Sequence, residues 1–178
     1  MKFTATKIPG VTIVEGEPIT DDRGFFARGY CAREFEAAGI TLAVAQTNLS
    51  HNAQKGTLRG MHYQAEPKPE PKLVSCTHGA IFDVAIDLRP NSPGFCGWVG
   101  VELTESNGKS LFIPPGCAHG FLTLTDESRV SYLMGEYYTP ELARGVRWND
   151  PAFGIEWPGE PAVISERDSG WPDFTITV

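Results

Sequence analysis

The segment Ile81-Phe82-Asp83-Val84-Ala85-Ile86-Asp87-Leu88 alternates with a period of two, the repeat of a β-strand rather than a helix. One face carries Phe82, Val84, Ile86 and Leu88, four large apolar side chains that belong in a core. The other carries Ile81, Asp83, Ala85 and Asp87. If this second face lines a cavity, Asp83 is a buried carboxylate in need of a partner. If it meets solvent, Asp83 is an ordinary outer residue of a sheet. Alternation alone leaves both readings open.

Working outward, similar short runs recur at 11–14, 41–48, 72–77, 98–103, 110–113, 120–124 and 129–138, separated by Gly, Pro and Asn. Strands at this spacing without intervening helical patterns predict an all-β sandwich or barrel. Nineteen Gly and fourteen Pro fit a turn-rich β protein better than a helical bundle. A helix is expected over 31–38, where Cys31, Phe35 and Ala38 share a face and Gly39 ends it. From Asn149 onward the chain is rich in Pro and Trp and is expected to wrap the barrel irregularly. With 178 residues and no repeat or linker, one domain over 1–178 is expected.

The net charge of −7 argues against nucleic acid or an anionic membrane as partner. It leaves room for a small anion held by a few Arg and Lys side chains. Neither a signal-length apolar core at the N-terminus nor a membrane-spanning stretch is seen. Cys31, Cys76, Cys96 and Cys117 form no CxxC, so free thiols and a cytoplasmic location are expected.

Two histidines lie in suggestive surroundings. His62 sits in Arg59-Gly60-Met61-His62-Tyr63-Gln64, and His119 in Pro115-Gly116-Cys117-Ala118-His119-Gly120-Phe121. The latter's P-x-G-x-x-H pattern resembles the second motif of the cupin superfamily, although a histidine at a strand end is as a rule a hydrogen-bonded structural residue. Metal-binding cupins resemble one another in an H-x-H pair followed by Glu. Here Gln64 stands for the second His, and Glu66 and Glu70 miss the offset, so no metal is expected. His, Lys, Tyr and Asp without a metal suit proton abstraction beside a carbonyl. That reaction needs a base near neutral pKa, a cation for the enolate oxygen and a weak acid. His62, Lys72 and Tyr132 fit these roles. Each also has a plain alternative, Lys72 as a solvated strand-edge residue and Tyr132 as a half-buried strand residue.

The blocks Asp22-Arg23-Gly24-Phe25-Phe26, Gln46-Thr47-Asn48-Leu49-Ser50, Gly56-Thr57-Leu58-Arg59-Gly60-Met61-His62-Tyr63-Gln64, Lys72-Leu73-Val74, Asp83-Val84-Ala85-Ile86-Asp87-Leu88-Arg89, Trp148-Asn149-Asp150-Pro151 and Ser165-Glu166-Arg167-Asp168, with the His119 block, occur in order. Together they resemble the dTDP-4-dehydrorhamnose 3,5-epimerase family. The resemblance implies a metal-free cupin jelly roll with one or two short helices, usually a homodimer, needing no cofactor. It implies epimerisation at C3, C5 or both of a nucleotide-linked 4-keto-6-deoxyhexose. His62 matches the general base, Asp168 its orienting carboxylate, Tyr132 the proton donor and Lys72 the cation at the C4 oxygen. Arg23 and Arg59 match diphosphate contacts, Gln46 and Asn48 nucleotide contacts, and His119 a substrate contact. Phe26 and Arg167 fall within matching blocks and are taken as substrate-binding.

Two positions depart from the family pattern. Arg28 and Ala143 stand where Glu is common, which leaves the nucleotide and the number of inverted centres open. The alternatives are a 3- or 5-monoepimerase, a 3,4-ketoisomerase on a similar barrel, a non-catalytic sugar-nucleotide-binding cupin and a metal-dependent oxygenase.

Overall fold

The computed structural model describes residues 1–175. The chain opens with β1 (Lys2–Ala5), β2 (Thr12–Glu15), the hairpin β3 (Ile19–Asp21) and β4 (Gly24–Phe26), and helix α1 (Ala32–Ala37). Next come β5 (Gln46–Asn52), β6 (Thr57–Gln64), β7 (Lys72–His78), β8 (Ala80–Asp87), β9 (Trp98–Thr104), β10 (Lys109–Ile113), β11 (Cys117–Thr123) and β12 (Ser128–Met134). A 3-10 turn at Pro140–Leu142 leads into β13 (Ala143–Gly145), followed by β14 (Val163–Ile164) and α2 (Glu166–Ser169).

Two sheets face each other, in the orders β1-β2-β10-β7-β12-β5 and β13-β6-β11-β8-β9, with β14 added beside β6. Except at the β8–β9 hairpin, each strand from β5 to β12 crosses to the other sheet. This is the jelly-roll arrangement. Inward side chains of both sheets make the central core: Val74, Leu111 and Val130 from one, Ile81, Ala85, Leu103 and Phe121 from the other.

That core corrects the expectation for β8. Its inward face carries Ile81, Asp83 and Ala85, whereas Phe82, Val84 and Ile86 face outward. They are covered there by Val146, Phe153, Ile155 and Trp157 from the C-terminal segment. Both faces are therefore buried, and the larger apolar residues mark the outer one. A third cluster sits outside the first sheet, where α1 places Phe35 against Val14, Leu42, Leu73 and Phe112. Burying the whole Phe35 ring contributes roughly 2–3 kcal/mol, enough to hold a helix this short.

The run expected at 41–48 becomes a strand only from Gln46, because Leu42 turns into the α1 cluster and its carbonyl accepts the Tyr30 hydroxyl. The run expected at 129–138 stops at Met134, where the Gly135 N–H leaves the sheet for Pro71 O. All four cysteines are free thiols. Burial pushes Cys76 up to about 11 and Cys117 up to about 12, so neither is a ready nucleophile. Among the described residues no helix is long and apolar enough to cross a membrane.

Candidate active site

In a regular strand Arg59 and His62 would point to opposite faces. Here β6 is irregular between them. Gly60 takes φ +140°, and the register of β6 with β11 shifts between His119 and Phe121. A Cβ on Gly60 would come within 2.5 Å of the Gly120 Cα, so glycine is required for the two strands to approach. Arg59 and His62 consequently both line one cleft of about 390 Å³.

His62 and His119 are register partners on β6 and β11, and each is paired to a carboxylate through Nε2. His62 Nε2 lies 2.6 Å from Asp168 Oδ1, and the Gly60 N–H donates to Asp168 Oδ2 at 3.2 Å. Asp168 is brought there by α2, whose N-cap Ser165 Oγ accepts from the Asp168 N–H at 3.1 Å. Burial alone would raise the Asp168 pKa. The hydrogen bond and charge of His62, with the Gly60 N–H, outweigh it and hold the carboxyl below the usual range.

His119 Nε2 lies 2.7 Å from Asp83 Oδ1, which settles the open reading of Asp83 as a buried carboxylate with a partner. Asp83 is fully buried and its Oδ2 has no hydrogen-bond partner, so desolvation pushes its pKa up against the opposing pull of His119 and Lys72.

Lys72 is 4 % exposed, which rules out the solvated strand-edge reading. Its Nζ pairs with Glu70 Oε1 at 2.7 Å, and both side chains line the cleft. Tyr132 is partly buried, with its ring at 6.2 Å from His119 and its hydroxyl 3.3 Å from Ser50 Oγ. Burial pushes the phenol up to about 12, so it stays protonated. Arg59 Nε donates to buried Asn52 Oδ1 at 2.7 Å. Gln46, Asn48 and Arg167 complete the expected residues in the cleft.

Gln64 is 3 % exposed and fully engaged. Its Nε2 donates to Lys68 O and Tyr137 O, and its Oε1 accepts from the Thr139 N–H. The amide therefore braces β6 against two loops. Among the described residues no group of three or more His, Cys, Asp or Glu is placed to hold a metal ion.

Arg23 and Phe26 are not brought to this cleft. They sit on the β3–β4 hairpin, Arg23 paired with Asp21 and Phe26 75 % exposed. Arg28 is near the hairpin's base, bound to Glu34 at 2.7 Å. Sequence reasoning missed Glu70, Ser50, Tyr138 and Arg144, all of which line the cleft. Of these, Glu70 carried the clearest sequence signal, an acid two residues before Lys72.

The dTDP-4-dehydrorhamnose 3,5-epimerase family matches residues 5–175. The chain belongs to that family. A dTDP-4-dehydrorhamnose 3,5-epimerase of Methanothermobacter thermautotrophicus is 44% identical over 173 residues, 96% of this chain and 92% of that protein. The structure of a Bacillus anthracis dTDP-4-dehydrorhamnose 3,5-epimerase, with TDP and PPi bound, superposes with a TM-score of 0.94 at 39% identity, covering 97% of this chain and 99% of that one. A Legionella pneumophila dTDP-6-deoxy-D-glucose-3,5-epimerase, in complex with dTDP-4-keto-L-rhamnose, superposes with a TM-score of 0.90 at 37% identity, covering 98% and 99%. The chain is thus an isomerase of the epimerase class on the jelly roll of that family.

Proposed function

We propose that this chain, as a single cupin domain, converts dTDP-4-dehydro-6-deoxyglucose to dTDP-4-dehydrorhamnose by inverting C3 and C5. The observation that carries the chemistry is the His62–Asp168 pair opening on the cleft that Lys72 and Tyr132 also line. With Nε2 held by Asp168, His62 Nδ1 is the nitrogen free to take a proton from the carbon beside the C4 ketone. The C–H electron pair moves into the ring as an enolate, and the Lys72 ammonium stabilises the charge on the C4 oxygen. Glu70 holds that ammonium in place. The Tyr132 hydroxyl then protonates the same carbon from the opposite face. Imidazolium and tyrosinate exchange with solvent before the second centre reacts. No step is a net oxidation or reduction, so the proposed sequence needs no redox cofactor.

Ligands of the structural relatives support the nucleotide half of the reading, since TDP and a dTDP-keto-sugar occupy those proteins. Arg59 and Arg167 would hold the diphosphate, Gln46 and Asn48 the nucleotide, and His119 the sugar.

A homodimer belongs to the same reading. The hairpin projects Ile19, Phe25 and Phe26, which are 73%, 69% and 75% exposed. Covering them with a second copy would bury this apolar hairpin, which also bears Arg23. The setting proposed for the reaction is the cytoplasm, where four free thiols persist.

Incubation with dTDP-4-keto-6-deoxyglucose, followed by NMR assignment of the product, tests the reaction. Inversion at both C3 and C5 is expected. Inversion at one centre would reduce the enzyme to a monoepimerase, and a displaced keto group would make it a ketoisomerase.

A further inference from the structure

The arginines of this chain divide by location. Arg23, Arg28, Arg89 and Arg147 each sit against a carboxylate, from Asp21, Glu34, Asp87 and Asp173 respectively. The three that line the cleft, Arg59, Arg144 and Arg167, have no ion-pair partner among the described residues. Only the exposed Arg33 and Arg129 share that condition elsewhere. All three are exposed, so in a chain of net charge −7 they gather positive charge in one concavity that an anion can enter.

Arg144 is the member that neither the motif pattern nor the proposed chemistry uses. It sits on β13, in register with Tyr63 and beside the His62 pair partner Gly145. Its Nη1 donates to Glu141 O at 2.9 Å and Ala143 O at 3.0 Å, which ties one corner of the guanidinium to its own turn. Its other N–H groups are left for a ligand. Arg167 is placed on the same lip by Trp171. The indole lies against Gly145, where any Cβ would collide with it, and the Arg167 guanidinium stacks over the indole at 5.4 Å. Ala143, which also lines the cleft, brings no charge to offset its neighbour.

We propose that Arg144 is a phosphate-binding residue of this cleft that, with Arg59 and Arg167, sets a preference for a nucleoside diphosphate over a monophosphate. The inference rests on the nucleotide-sugar reading of the site. Arg59, Arg144 and Arg167 come from three separate elements, β6, β13 and α2. Two adjacent phosphoryl groups spread their anionic oxygens over a wider span than one, so that more of these guanidiniums can be engaged at once.

Calorimetric titration of dTDP, dTMP and thymidine into the wild type, Arg144→Ala and Arg144→Lys tests it. A lost charge-assisted hydrogen bond predicts that Arg144→Ala weakens dTDP about tenfold and narrows the dTDP-to-dTMP ratio, with thymidine unchanged. Arg144→Lys recovers part of the affinity as a point charge without the fork. With dTDP-4-keto-6-deoxyglucose as substrate, Arg144→Ala should raise KM about tenfold at constant kcat, the sign of binding shared by ground and transition states. Unchanged dTDP affinity in an active Arg144→Ala enzyme overturns the proposal. So does an equal loss for thymidine, which would make Arg144 a support for the cleft's shape. A wild type that shows Arg144-dependent dTDP binding but no epimerisation sinks the reaction and leaves the phosphate site standing.

Discussion

Two histidine–carboxylate pairs lie side by side on β6 and β11, alike in geometry and opposite in electrostatics. In one, His62 is 41% exposed and Asp168 7%; in the other, His119 is 6% exposed and Asp83 0%. The Nε2–Oδ1 distances differ by only a tenth of an ångström, 2.6 against 2.7 Å. Yet Asp168 is held below the usual carboxylate range and Asp83 is pushed above it. The difference lies chiefly in burial. Desolvation of the fully buried Asp83 outweighs the pull of His119, whereas at Asp168 the hydrogen bond and charge of His62 outweigh a smaller burial. The second carboxylate oxygens add to the contrast. Asp168 Oδ2 accepts the Gly60 N–H, whereas Asp83 Oδ2 has no partner. Pairing alone therefore does not make a catalytic base. The base role proposed for His62 calls for the other arrangement, an ionised, fully hydrogen-bonded carboxylate behind a histidine with solvent access.

The largest expected effect separates the histidines. His62→Ala should lower kcat by about 10³–10⁴-fold, at the upper end for loss of a general base, while dTDP affinity is nearly unchanged. His119→Ala, losing the sugar contact proposed for it, should lower kcat/KM by only about tenfold. Equal losses would break the distinction. The carboxylates should follow suit at smaller scale. Asp168→Asn should cost about 10² in kcat because the amide no longer favours the imidazolium, and Asp83→Asn less than tenfold.

Smaller still are the opposite pH dependences of stability. Asp168 has a lowered pKa, so its contribution is complete above the ordinary value of 3.8 and is lost as pH falls through the lowered one. Asp83 has a raised pKa, so it favours folding when protonated. Its contribution declines as pH rises from 3.8 towards the raised value. Melting curves should show that Asp83→Asn flattens the decline above pH 3.8, whereas Asp168→Asn flattens the acid side. Tyr132 sharpens the kinetic counterpart. With its phenol near 12, kcat should show no loss from tyrosine ionisation up to about pH 10, and a limb near 10 would contradict its burial.

The sequence showed one pair more readily than the other for physical reasons. His62 and Asp168 are 106 residues apart, and only the family pattern joined them. A local signal was nonetheless present in Ser165-Glu166-Arg167-Asp168, an N-cap serine followed three residues later by an acid. The alternation of β8 located Asp83 on one face correctly but could not say which face was the core. The C-terminal segment buries the other face, and periodicity within eight residues carries no trace of a segment seventy residues away. Strand β6 is not legible from alternation because Gly60 breaks its period, and that break is what aims both Arg59 and His62 into the cleft. Glu70 and Arg144 were missed because their partners, Lys72 and two backbone carbonyls, are defined only by the folded chain. Arg23 and Phe26 were legible as part of a block, but the fold of one copy leaves them outside its own cleft.

In the proposed reaction His62, not His119, takes the carbon-bound proton. Proton NMR in D2O with dTDP-4-keto-6-deoxyglucose tests it most directly, run side by side on the wild type, His62→Ala and His119→Ala. Solvent deuterium should enter C3 and C5 with the wild type and with His119→Ala, and neither carbon with His62→Ala. Deuterium uptake by His62→Ala at the wild-type rate, or protium retained at both carbons by the wild type, would contradict it.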